Sequence, residues 1–122
     1  MNDKTTSYIR SGNKKFENHD YKNAIRDYQK AIEIEPDNYI AYYQWGLAAH
    51  NILSENWKLF DDSVDESIVD TKEKFHKVID ITTEIIKNNP QDANALLYRE
   101  NAKVALIKAV FTIADWQKSI RI

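Results

Sequence analysis

The chain has only two glycines and two prolines in 122 residues. So few breakers leave little room for the turn-rich connectivity of a sheet domain, and they favour a few long helices. Their placement constrains the fold further. Gly12 and Gly46 stand 34 residues apart, and Pro36 and Pro90 stand 54 apart. The octet DYQKAIEI, Asp27–Ile34, returns as DWQKSIRI, Asp115–Ile122, 88 residues later. One period of 34 and one insertion of about 20 residues between Gly46 and Pro90 account for all three intervals. A fixed period of this size marks stacked helical units, each burying its apolar face against the next.

Other classes of chain are set aside by composition. With 30% charged and 43% apolar residues the chain is expected to be soluble and globular, and its length suits one domain. There is no cysteine, so disulfides, thiol catalysis and cysteine-held zinc are excluded. The net charge of −2 supplies no basic field for nucleic acid, which is not expected as a partner. No run is apolar enough to span a membrane, and MNDKTTSYIR has no apolar core of a signal peptide. A cytoplasmic location is expected.

No catalytic constellation is visible. His19, His50 and His76 are scattered and form no helical metal pair. Both glycines fall inside helical patterning, so no phosphate loop exists. Neither a metal nor a cofactor is expected, and the chain is not expected to be an enzyme.

Helical periodicity places helices over about 4–18, 21–34, 38–60, 65–88, 92–106 and 108–122. Pro36 and Pro90 end the second and fourth. Asp37–Asn38 and Gln91–Asp92 offer polar starts for the helices that follow. The last boundary is open: VALIKAVF, Val104–Phe111, contains no breaker, so one continuous helix from about Asp92 to Ile122 is the alternative. Such a helix could not fold back on its own repeat and would favour exchange between two chains.

Over Thr5–Asn38 the chain resembles the tetratricopeptide repeat (TPR) family. Tyr8 and Gly12, then Ala24, Tyr28, Ala31 and Pro36, fall at that family's spacing. Tyr42 and Gly46 match Tyr8 and Gly12, IIKNNPQDAN matches IEIEPDNYI, and ADWQKSI resembles the Asp27–Ile32 segment. The expected domain is a single all-α helical-hairpin solenoid of about six helices. Repeat one spans 5–38, repeat two spans 39–92 with about 20 extra residues near 54–73, and repeat three spans 93–122. Repeat three departs from the pattern, with Glu100 and Thr112 where small residues are expected.

The resemblance implies a protein-interaction scaffold that holds a peptide or partner helix in a concave groove. Carried over by position, the groove comprises Ile9, Asn13 and Phe16, then Tyr43, Gln44, Leu47 and His50, then Leu97, Tyr98 and Asn101. Packing between helices is the competing role for the apolar members, Ile9 and Leu97 above all. Some family members grip a terminal carboxylate with Lys, Arg and Asn. Here Asn13 remains, but Ile9, Asn94 and Tyr98 replace the basic residues, so an apolar, weakly charged ligand is expected.

Two further surfaces stand out. The insertion is expected to form an acidic hairpin tip over Glu55–Glu73, with Trp57 and Phe60 beside it, either pinning the loop or docking a partner. Val110, Phe111, Ile113, Trp116 and Ile120 lie on the last helix, and the sequence offers no capping element beyond Ile122. That edge is expected to take a partner or to form a homo-oligomer. Arg99, Lys103, Lys108, Lys118 and Arg121 make the same region weakly basic, either as a solvated face or for head-to-tail pairing with an acidic tip.

Overall fold

The computed structural model describes residues 2–56 and 62–120. Those residues form five helices: α1 (Asp3–Glu17), α2 (Tyr21–Ile34), α3 (Tyr39–Asn56), α4 (Asp62–Asn88) and α5 (Ala93–Ile120). The expected tip residues Trp57 and Phe60 lie outside the described residues.

Local chemistry sets the helix ends. The Asn2 side chain accepts from the Lys4 amide at 2.8 Å and starts α1. At the other end Asp20 N donates to the Lys15 carbonyl and His19 N to that of Phe16. This pair of bonds is a Schellman closure, and it holds His19 at a left-handed φ of 62°. Beyond Pro36, Asn38 Oδ1 accepts from Ala41 N at 3.0 Å and starts α3. Beyond Pro90, Asp92 Oδ1 accepts from Ala95 N at 3.0 Å and starts α5.

Each glycine lies under an aromatic ring of the helix that folds back on it. A Cβ on Gly12 would fall 2.6 Å from the Tyr28 ring, and one on Gly46 would fall 2.7 Å from the Phe75 ring. The Tyr28 hydroxyl also donates to Asn13 Oδ1 at 2.7 Å, tying α2 to α1. Tyr28 follows Gly12 by 16 residues, whereas Phe75 follows Gly46 by 29. Counting back from Pro90 in the register of repeat one puts Thr82 in the place of Tyr28, but Phe75 takes the ring's role.

Helix α3 is mostly apolar, and no residue from Tyr39 to Leu53 is exposed, as befits a buried helix. It packs against α1, α2, α4 and α5. Small residues allow the close approach: Ala24 and Ala31 on α2 and Ala41, Ala48 and Ala49 on α3 are fully buried.

The last segment is one helix. Two separate helices, 92–106 and 108–122, do not form, so the count is five rather than about six. No residue between Val104 and Phe111 opposes continuation, and the neighbours reward it. Ala95, Ala102 and Ala109, one every seven residues, are fully buried on its inner face. Further along, Ile113 packs with Leu53 and the partly buried Ile68, which belong to the lengthened end of the α3–α4 hairpin. The long hairpin and the unbroken α5 therefore form one three-helix unit. The inner face of α5 is covered by its own α3 and α4, so no exchange between chains is needed.

The two octets have different roles. In the first, Asp27 is buried, and its Oδ2 accepts from Ser11 Oγ and Lys15 Nζ, each at 2.7 Å. In the second, Asp115 is exposed near the end of a continuous helix. The second octet is thus not the return helix of a hairpin.

Candidate functional site

Four of the ten expected groove residues come together. Tyr43, Leu47 and His50 project from α3, and Asn101 from α5, into a cleft of about 320 Å³. Val104, Ala105 and Lys108 complete its lining. These three were absent from the sequence reading. They stand three, four and seven residues after Asn101, one face of a helix. A reading that kept α5 continuous would have found them.

The cleft is built on an aromatic stack. Tyr43 meets Phe75 at 5.9 Å between ring centroids and Tyr98 edge-on at 5.4 Å. Tyr98 in turn meets Tyr39 edge-on at 5.3 Å. Such contacts fix ring positions at modest energy, about 1 kcal/mol each beyond burial. Tyr98 therefore supports the cleft without lining it. Burial raises the Tyr43 hydroxyl pKa, with a smaller contribution from Tyr98, so the phenol stays neutral.

His50 bridges the two helices, with Nε2 3.0 Å from Thr112 Oγ1. The Thr112 hydroxyl also bonds the Lys108 carbonyl at 3.0 Å. A carbonyl only accepts, so the threonine proton goes there and His50 Nε2–H donates to the hydroxyl oxygen. That leaves Nδ1 as the acceptor of a neutral ring. Burial, with the nearby Lys108 charge, lowers the His50 pKa and favours this form. The cleft thus has an apolar wall of Leu47, Val104 and Ala105, with Asn101 and Lys108 as polar groups at its exposed side.

The other expected groove residues lie elsewhere. Ile9 is buried against Ala31 and Ala41 and is core. The Asn13 carboxamide oxygen is engaged by Tyr28. Phe16 packs edge-on against Tyr21 at 5.2 Å. These α1 residues serve the first hairpin, and Gln44 is half-buried outside the cleft lining. Leu97 is 55% exposed on the outer side of α5.

Of the expected C-terminal edge, Val110 and Phe111 are exposed. Ile113 is buried in the core with Leu53, which removes it from that edge. The side chains of Trp116 and Ile120 lie outside those described.

A second opening, about 430 Å³, carries Lys22 and Arg26 from α2 opposite Glu66 and Asp70 from α4. Its walls carry opposite charges and can satisfy one another, so it makes less demand for a ligand. Among the described residues, no group of three or more His, Cys, Asp or Glu could hold a metal ion. No described helix is long and apolar enough to cross a membrane.

In comparison with known families, residues 12–52 fit the model of the TPR repeat. No curated protein matches the chain. The matched stretch runs from the middle of α1 through α2 and most of α3, and it includes Gly12, Tyr28, Pro36 and Gly46. Over residues 12–52 the chain is therefore similar to the tetratricopeptide repeat, and its described residues fold as helical hairpins in keeping with that similarity.

Proposed function

We propose that the chain is a non-catalytic scaffold whose α3–α5 cleft holds a peptide or a partner helix. A TPR is in general a protein–protein interaction module. The observation that carries the finer reading is the cleft itself, where Leu47, Val104 and Ala105 flank Asn101 and Lys108. An apolar wall with a few convergent polar groups suits an amphipathic segment. Its occupant is apolar on one face and weakly charged, a protein in the same compartment, which we place in the cytoplasm.

The test is capture from lysate on the immobilised chain, followed by mass identification. Asn101→Ala and Lys108→Glu change exposed positions and leave the core intact. A protein retained by the wild type and weakened about tenfold by the pair supports the cleft. Equal retention by both proteins contradicts it.

A second reading is favoured by Val110 and Phe111, which are 47% and 66% exposed. In it, copies of the chain assemble through the C-terminal helix.

A further inference from the structure

We propose that the outward face of α5 is a seam for a second copy of this chain, packed antiparallel about a twofold axis at the level of residue 109. The proposal rests on the second reading above and specifies its face, direction and register; Val104 and Lys108 also line the α3–α5 cleft, so a second copy on this seam and a ligand in the cleft compete.

Leu97, Val104, Ile107, Val110 and Phe111 account for five of the seven exposed large apolar residues among the described residues. Leu97, Val104 and Phe111 recur every seven residues, with Ile107 between them. This is a heptad seam, in which Glu100 takes the place between Leu97 and Val104 and which continues through Ala114 to Lys118. From Leu97 to Lys118 it extends about 32 Å along the helix. The inner face of α5 is already filled by Ala95, Ala102, Ala109 and Ile113, so the helix is apolar on both sides but covered on one. A helix apolar all round is normally buried all round.

Charge selects the occupant and its direction. In a parallel pair each position meets its own copy, so Glu100 faces Glu100 and Lys118 faces Lys118 across the seam. In the antiparallel register centred on residue 109, Glu100 of each copy meets Lys118 of the other. In the same register Ile107 layers on Phe111, and Val104 on Ala114. Both charged layers are then complementary and all four central layers are apolar. An unrelated helix has no reason to meet this pattern, whereas the twofold imposes it on the chain itself. Glu100 also pairs with Lys103 of its own helix at 3.3 Å, and this ion pair stays at the rim. Lys108 flanks the axis opposite its own copy, and its long stem lets the ammonium reach water.

The test is molar mass by sedimentation equilibrium from about 1 to 100 µM, the range that resolves micromolar association. The wild type is expected to dimerise. Ile107→Lys, at a position 58% exposed, should leave the circular dichroism unchanged and weaken the dimer at least tenfold. Glu100→Lys and Lys118→Glu should each weaken it, and the double exchange should restore it. A wild type monomeric at 100 µM overturns both the seam and the second reading. A dimer indifferent to Ile107→Lys overturns the seam and leaves assembly through another face. A dimer sensitive to Ile107→Lys but not restored by the double exchange overturns the antiparallel register. Asn101→Ala, which belongs to the cleft, should leave the mass unchanged.

Discussion

Gly46 lies so close beneath Phe75 that a single added methyl carbon would fall 2.7 Å from the ring. Phe75 is fully buried, so the ring cannot swing away. Gly46→Ala gains about 1 kcal/mol of helix propensity but overpacks the α3–α4 contact at a cost of about 1–3 kcal/mol. A net loss of up to about 2 kcal/mol in urea denaturation is expected. Gly12→Ala should behave alike, because the Tyr28 ring is equally buried and held by Asn13. A stabilised alanine variant at either position would show that the rings are not fixed.

The left-handed His19 closes α1 at a conformational cost. Glycine adopts that conformation freely, while a β-branched residue resists it. His19→Gly should stabilise the fold by up to about 1 kcal/mol, less what is lost with the 2.8 Å contact to the Tyr21 hydroxyl. His19→Val should destabilise it by about 1–2 kcal/mol. Melting temperatures of the three proteins decide the order.

Asp27 links stability to acid. Its burial works to raise the carboxyl pKa, but the bonds from Lys15 and Ser11 outweigh burial and the net shift is downward. A carboxyl lowered on folding contributes stability above its unfolded pKa, near 4, and loses it as pH falls through the folded value. Asp27→Asn should cost about 1–2 kcal/mol at pH 7, a modest sum because Lys15 is partly solvated. That difference should shrink as the pH is taken below 4. A difference constant from pH 7 to pH 2 would remove Asp27 as a source of acid sensitivity.

His50 acts in a higher pH window. Burial, then Lys108, lowers its pKa, so the fold prefers the neutral ring. Stability is complete above about pH 6.5 and falls as pH drops from there through the lower folded value. His50→Gln can still donate to Thr112 and does not titrate. Between pH 7 and 5 its melting temperature should fall less than that of the wild type.

Much of the first hairpin was legible, because its signals are local. Gly12, Ala24, Tyr28, Ala31 and Pro36 report close approach and a stop within a single 34-residue window. The end of the chain was harder, because its structure depends on neighbours distant in sequence. DWQKSIRI resembles DYQKAIEI as a helical octet, but only Asp27 has a Ser11 and a Lys15 beside it.

The cleft was half legible for the same reason. Tyr43, Leu47, His50 and Asn101 share faces that the family spacing places, while Val104, Ala105 and Lys108 require an unbroken α5. Ile9 and Ile113 carry no mark in the sequence that separates a core side chain from a surface one. Ala41 and Leu53, packed against them, decide it. The heptad of Leu97, Val104 and Phe111 was present in the sequence but hidden, since α5 carries apolar residues on every side.

The cleft is the central claim, and site-specific crosslinking reads it directly. A photo-reactive residue in place of Asn101 would stand on the cleft rim, and one in place of Lys72 would stand on an exposed position of α4. Both proteins would be irradiated in lysate and their adducts identified by mass. The account expects a discrete partner adduct from position 101 and none from position 72. A partner captured from position 72 and not from position 101 would contradict it.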